Sequence, residues 1–415
     1  MTNCSTRPIS NQSPWGRYYT LDADKRLEVD GATLVESGGI LTVDQNAALV
    51  TSALQNDGEI QLQGSLANIQ AVTFTNNGVI HGHGRIEGSL SNYGFIEVLD
   101  EADDLVLLGD IVNQAEGLFA VRNSTVRASG GLTNEGQLSF VSGNIDWHGN
   151  LSNHGTIGVS RDTQVSIIGA LHQFGALNLL ENSRVLVYSD LDGPGGTVGT
   201  GALEVLGTFS PGASPARVNF GGDLVLGAKT VIELGGTELG SFDQLVVAGD
   251  LWLNGILQID LIDGFLPSVG QVFEIATADM IHGDFQLQIL PNWDAVLSLF
   301  AYSDDHAFSL VVVPTLQGDY NADGFVNLAD YTVWRDNLGR SNAIPFGLGD
   351  GNGDGLVNQE DYQVWRSHFG QSVDFSVTTN PQQVPESSSA LLLYCGAMVA
   401  AALRSKRATL RNTRC

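Results

Sequence analysis

Between Gly318 and Gly370 one pattern of oxygen-bearing residues is written twice, 31 residues apart. The first copy places Asp319, Asn321, Asp323, Asn327 and Asp330 at positions 1, 3, 5, 9 and 12 of a loop. The second places Asp350, Asn352, Asp354, Asn358 and Asp361 at the same positions. Gly324 and Gly355 fill position 6. A sharp turn there has to bring the loop ends together, and only glycine makes it without steric cost. A hard cation such as Ca2+ takes six to eight oxygens on a flexible frame. The carbonyls of Phe325 and Leu356, at position 7, complete each set, with Asn327 and Asn358 acting through water. Two Ca2+ sites are expected.

This is the layout of an EF-hand loop. Each copy runs on into Tyr-x-Val-Trp-Arg, expected as a helix, and closes on Gly339 or Gly370. Two metal-free Asp/Asn/Gly turns are the alternative, and the tandem duplication argues against it. Position 12 is Asp rather than Glu. Its shorter arm weakens bidentate contact, so the expected dissociation constant is on the order of 10⁻⁴ to 10⁻³ M. The pair resembles a type I dockerin, the duplicated calcium-loop-plus-helix module of polysaccharide-degrading bacterial systems. The resemblance covers residues 317–371 and, as in that family, no helix is expected ahead of Asp319 or Asp350. It implies a small α domain and a cohesin-like partner, bound through polar residues at the start of a helix. Those positions are Leu328-Ala329 in one copy and Gln359-Glu360 in the other. The calcium ligands therefore carry over and the partner contact does not.

The rest of the chain must hold this pair. It has 46 acidic and 19 basic residues, a net charge of −27. Such a field repels nucleic acid and anionic membrane and attracts calcium. Apolar residues are ample, so the acidity is not that of a disordered chain. The cysteines, Cys4, Cys395 and Cys415, are all terminal. They form no disulfide framework and no zinc spacing. Residues 1–33 read as irregular. No apolar segment follows Met1, and the expected start of the protein lies upstream.

From Leu34 to residue 206 short alternating strands carry a repeat, apolar-x-Asn/Gln-x-Gly-x-apolar. Leu54-Asn56-Gly58-Ile60, Phe74-Asn76-Gly78-Ile80 and Leu151-Asn153-Gly155-Ile157 are examples. From Gly58 to Gly175 six steps span 117 residues, 19.5 per step. A strand-and-glycine period near 20 signals a solenoid, because one coil cannot bury its apolar face alone. Gly and Asn are expected to turn corners at positive φ, and the Asn side chains to stack as an amide ladder. The fold expected is a parallel, right-handed β-helix. Antiparallel hairpins in a sandwich are the alternative, since Asn-Gly also marks hairpin turns.

Residues 207–316 change rhythm at Ser210-Pro211-Gly212-Ala213-Ser214-Pro215. With Glu233-Leu234-Gly235-Gly236 and Asp243-Gln244-Leu245-Val246-Val247, this run resembles strand-loop-strand segments of autotransporter passenger domains and related bacterial surface β-helices. Later coils and a β-rich cap are expected there. After a linker, 372–386, come Val384-Pro385-Glu386, an apolar run from Ala390 to Leu403 and a basic cluster. Residues 387–415 read as a sorting helix and tail. The order resembles a PEP-CTERM sorting signal, with Ser387 where a second proline is usual. It implies transient membrane contact through 390–403 and release to the envelope or outside. The run is short for a span, and a buried or amphipathic helix is the alternative.

Catalytic candidates are three. Asp100-Glu101-Asp103-Asp104 reads as a solvated turn. His81-Gly82-His83 alternates on a strand, which puts both imidazoles on one face. Asp146-Trp147-His148 would line a sugar groove, or bury one Trp in a core. No spacing pairs the few basic residues, among them Arg85, Arg122, Arg127, Arg161 and Arg184, with an acid. No catalytic residue is assigned. The expected protein is mainly β, secreted or envelope-displayed, calcium-binding, and structural or adhesive against extracellular polysaccharide. A glycoside hydrolase or lyase on a β-helix is the alternative.

Overall fold

The structure, a computed structural model, describes residues 3–5, 18–99, 104–212, 215–289, 296–341, 346 and 348–373. Val384-Pro385-Glu386 and the apolar run 390–403 lie outside them. Among the described residues no helix is long and apolar enough to cross a membrane.

The chain is mainly β, a β-solenoid of about ten turns. A typical coil contributes three strands, such as Leu132–Asn134, Gln137–Val141 and Asn144–His148. Each pairs in parallel with its counterpart one coil on: Leu151–Asn153, Thr156–Val159 and Gln164–Ile168. Parallel pairing persists to Gln286–Ile289, which excludes the hairpin sandwich. The first coils start ahead of residue 34, since Tyr18–Leu21 pairs with Ile40–Asp44 and Arg26–Val35 with Ala48–Asn56.

Alternation explains the core. In Gln137–Val141 the side chains of Leu138 and Phe140 are buried while Gln137 is exposed. Stacking then places Leu138, Ile157 and Leu177 in one column, part of a continuous apolar core.

The amide ladder is present. Asn56, Asn76, Asn92, Asn113, Asn134, Asn153 and Gln173 occupy one register position and are buried. Each Asn donates from Nδ2 to the amide oxygen of the next coil, at 2.7–3.1 Å. The side chains also bond backbone carbonyls, as Asn134 does with Thr156 at 3.1 Å. Neutral polar groups are thus satisfied inside an apolar core, the condition for burying them.

The repeat glycines serve differently from expectation. None of Gly58, Gly78, Gly94, Gly117, Gly136, Gly155 and Gly175 has a positive φ. Coil contact is the reason for glycine instead. A Cβ on Gly155 would lie 2.2 Å from the Gly136 carbonyl oxygen, and one on Gly175 2.1 Å from that of Gly155.

The stack ends in an antiparallel hairpin, Leu297–Ser303 with Ala307–Pro314. Ala307–Pro314 also pairs antiparallel with Val272–Thr277, and Phe308, Leu310 and Val312 are buried in the core. Beyond it lie the two described helices, α1 (Leu328–Asn337) and α2 (Gln359–His368). Their core is separate: Tyr320, Val326, Trp334, Val357 and Trp365.

Candidate metal centre

Each helix grows directly out of one loop. Asn327 caps α1, its side chain accepting from the Ala329 amide at 2.7 Å, while Asp330 Oδ2 accepts from the Asn327 amide at 2.8 Å. Asn358 and Asp361 do the same for α2, at 2.6 and 2.7 Å. Asn-x-x-Asp here is therefore a capping box as well as loop positions 9 and 12. That second role was legible in the spacing and missing from the sequence reading.

The carboxylates at positions 1 and 12, Asp319, Asp330, Asp350 and Asp361, are wholly buried. Asp319 accepts from the amides of Asp323 and Gly324 at 3.1 and 2.8 Å. Asp350 accepts from Gly353 and Gly355 at 2.8 and 2.9 Å. Asp361 Oδ1 accepts from Gly351 and Asn352 at 2.8 and 3.2 Å. None of the four takes part in an ion pair among the described residues. Burial pushes the Asp319 carboxyl up to about 6, with the Asp330 charge adding to it. Burial likewise raises Asp330 and Asp350.

The other expected ligand positions are less enclosed. Asn321, Asp323, Phe325, Asn352, Asp354 and Leu356 are exposed. Asp323 Oδ1 accepts from the Phe325 amide at 2.9 Å, and Asp354 Oδ1 from the Leu356 amide at 2.8 Å. Accordingly, no group of three or more His, Cys, Asp or Glu side chains converges as a metal cage among the described residues. The donor chemistry nevertheless suits a hard cation. Each loop buries two carboxylates with no cationic partner among the described residues, an unfavourable arrangement that a divalent ion would offset. Gly324 and Gly355 have φ of 83° and 77°, as the turn at position 6 demands. Position 4 distinguishes the copies: Ala322 sits at φ 54° and Gly353 at 76°.

The two repeats interlock. Trp334 Nε1 donates to the Asn358 carbonyl at 2.7 Å, and Trp365 Nε1 to the Asn327 carbonyl at 2.8 Å. Tyr331 and Tyr362 pack edge to face between them. Leu328, Ala329, Gln359 and Glu360, the positions for a cohesin-like partner, are exposed at the helix starts.

The remaining candidates are distributed along the solenoid. His81 and His83 do not share a face: Gly82, at φ 107°, breaks the alternation. His81 stays at the surface, 2.9 Å from Glu59, while His83 is buried. Trp147 lies in the core against Phe119 and Phe140 rather than in a groove. Burial, and then Arg127, lower the pKa of His148. Asp100, Glu101 and Asp103 lie outside the described residues.

The basic residues do meet acids, contrary to expectation. Arg122 pairs with Glu97 at 2.9 Å and Arg161 with Glu181 at 3.4 Å; Arg127 with Asp104 and Arg184 with Glu204 are further pairs. Coil stacking brings together residues about 20 apart, a distance that local spacing does not show. Stacking also aligns Ser152, His172 and Asp192. His172 Nδ1 meets Asp192 at 2.9 Å, but Ser152 bonds His154 Nε2 at 3.2 Å, so no relay from Asp192 to Ser152 forms.

No family model matches the chain, and no curated protein is similar enough to match it.

Proposed function

We propose that the chain is an exported, calcium-binding structural or adhesive protein. In this reading a β-helix, right-handed as in the surface proteins it resembles, carries a dockerin-like pair of EF-hand loops. Each loop holds one Ca2+ through Asp319, Asn321, Asp323, Phe325, Asn327 and Asp330, or through Asp350, Asn352, Asp354, Leu356, Asn358 and Asp361. The ion supplies charge compensation that the fold itself does not provide. The observation that carries this is the set of four buried carboxylates with no cationic partner among the described residues, repeated at the same positions of two loops. The segment around Val384-Pro385-Glu386 is the sorting signal of the same proposal. The solenoid surface is the part that meets extracellular polysaccharide.

Calorimetric titration of the full chain with CaCl2 tests the calcium reading. Two ions per chain are expected, at sub-millimolar to millimolar affinity. No heat and no spectroscopic change at several millimolar Ca2+ overturns it.

A further inference from the structure

We infer that the outward face of the amide-ladder strands carries a binding site for an uncharged polysaccharide, centred on a gap at Gly131. This rests on the polysaccharide reading above and gives it a place and a ligand class.

The gap comes from the register. Asp110, Gly131, Asn150, Ala170 and Asp190 each stand one residue ahead of the paired strands that begin at Ile111, Leu132, Leu151, Leu171 and Leu191. They form one column at a corner of the coil. Asn150 and Asp190 use their side chains to hold the coil that follows. Asn150 Oδ1 accepts from the Ala170 amide at 3.0 Å, and Asp190 Oδ1 from the Thr208 amide at 2.9 Å. Gly131, at φ 79°, has no side chain to offer. A Cβ there would lie 3.0 Å from the Asn150 carbonyl oxygen. A cavity of about 200 Å³ opens at this point, with Gly130 and Gly131 in its lining. It is smaller than the roughly 300–1,000 Å³ of a pocket that encloses a small molecule, so it suits one unit of a longer chain.

The lining sets the chemistry. Alternation along the strand turns Val112, Thr133, Ser152 and His172 outward, in register on four successive coils. His172 Nδ1 lies 2.9 Å from both carboxylate oxygens of Asp192. With Nδ1–H on that carboxylate, Nε2 is left as an acceptor. The Thr133 and Ser152 hydroxyls donate and accept, the Asp110 carboxylate accepts only, and Val112 gives an apolar contact. Such a set matches the hydroxyl groups of a sugar. No Lys or Arg lines the cavity. Asp110 lines it and Asp192 stands behind His172, on a chain of net charge −27. Carboxylated and sulfated polymers are therefore repelled, and an uncharged one is not.

An aromatic step continues the face. Two residues on from Ser152 and His172, the rings of His154 and Phe174 stack with centroids 4.9 Å and planes 9° apart. Phe174 is 49% exposed. A half-exposed ring beside hydrogen-bonding groups meets the apolar C–H surface of a neighbouring sugar unit.

The test is affinity electrophoresis of the full chain through gels that each hold one polymer: a β-glucan, a galactomannan, a dextran, or polygalacturonate as the anionic one. Retardation by at least one uncharged polymer, and none by polygalacturonate, is expected. It should persist with a chelator, because the site is built from the solenoid alone. Gly131→Asn fills the gap with a residue that tolerates the left-handed region, and should abolish retardation. His172→Ala and Phe174→Ala should each weaken binding by about 2- to 10-fold. His81→Ala, outside the site, should leave it unchanged. Far-ultraviolet dichroism checks the fold; if Gly131→Asn is misfolded, the two outward-facing variants carry the test. An uncharged polymer bound equally by the wild type and the site variants overturns the site and leaves the polysaccharide reading standing. Retardation by polygalacturonate alone overturns the ligand class. Loss of wild-type binding with chelator places it off the solenoid and overturns the site too. No retardation by any of the four polymers overturns the polysaccharide reading and the site with it.

Discussion

In the solenoid, a column of buried amides runs through the core, and each finds its partner one coil away. In the loop–helix pair, buried polar groups are carboxylates, and their partners are backbone N–H groups that cannot cancel charge. The ladder from Asn56 to Gln173 is neutral and closed on itself, inside a large apolar core. Among the described residues the pair has five buried apolar residues and four buried acids. A core of that size stabilises weakly, and unpaired buried carboxylates act against it.

Removing calcium should have the largest effect. A chelator added to the calcium-loaded chain is expected to unfold residues 318–373, since binding free energy there is folding free energy. Near-ultraviolet dichroism from Trp334 and Trp365 should collapse while the far-ultraviolet β signal persists. Joint loss of both signals would erase the distinction between the regions.

Exchanging the chemistry of the two regions comes next. Asn134→Asp puts an unpaired charge among buried amides and removes the donor to Asn153. It should destabilise the solenoid by about 3–5 kcal/mol at neutral pH, read as a lower denaturant midpoint. The reverse exchange, Asp319→Asn, should weaken calcium binding by at least ~10-fold and leave the solenoid midpoint unmoved. Gly155→Ala tests the coil contact. Its Cβ meets backbone of Glu135 and Gly136 rather than a flexible side chain, so a loss of about 1–3 kcal/mol is expected. An unchanged midpoint would mean that the coils can separate locally at no cost.

The sequence showed the period of the solenoid because one residue type recurs where one physical need recurs. Asn and Gly at fixed offsets announced both ladder and corner, although the glycines answer to the neighbouring coil and not to φ. What stayed hidden was which charged side chains meet between coils. The pairs Arg122–Glu97 and Arg161–Glu181 join residues more than a coil or nearly a coil apart, and the sequence window that reveals strands is shorter than that. The duplicated loops were legible by spacing, and so was the helix after each loop. The crossed Trp–carbonyl bonds were not, since they join residues 24 and 38 apart across two repeats. The positive φ of Gly82 likewise defeated the reading of His81 and His83, because alternation holds only while the strand remains regular.

A pH series separates the regions by sign. Asp243 in the solenoid is buried, accepts from the Ala216 and Glu233 amides, and is pushed up to about 6, chiefly by desolvation. Asp319 in the pair is pushed up to about 6 by the same cause. A raised carboxyl binds its proton more readily in the folded chain. Each region should therefore lose stability as pH rises from the ordinary value of 3.8 toward 6, and level off above it. Calcium should reverse the slope for the pair alone, because the ion competes with the Asp319 proton. Melting curves from pH 4.5 to 7.5, with and without calcium, check this; a calcium-dependent slope in the solenoid transition would contradict it.

The smallest effect lies within the pair, where loop 1 still carries an avoidable strain. Ala322 has φ 54°, in the left-handed region that costs a non-glycine residue roughly 1–2 kcal/mol. The second copy already has Gly353 at that position. Ala322→Gly relieves the strain but gives the unfolded chain more freedom, worth about 0.5–1 kcal/mol in the opposite direction. The net gain should be about 0.5–1 kcal/mol for the pair and nothing for the solenoid. With the strain removed, loop 1 should also bind calcium about 2- to 5-fold more tightly. Should Ala322→Gly instead weaken loop 1, position 4 is not where the copies differ in readiness.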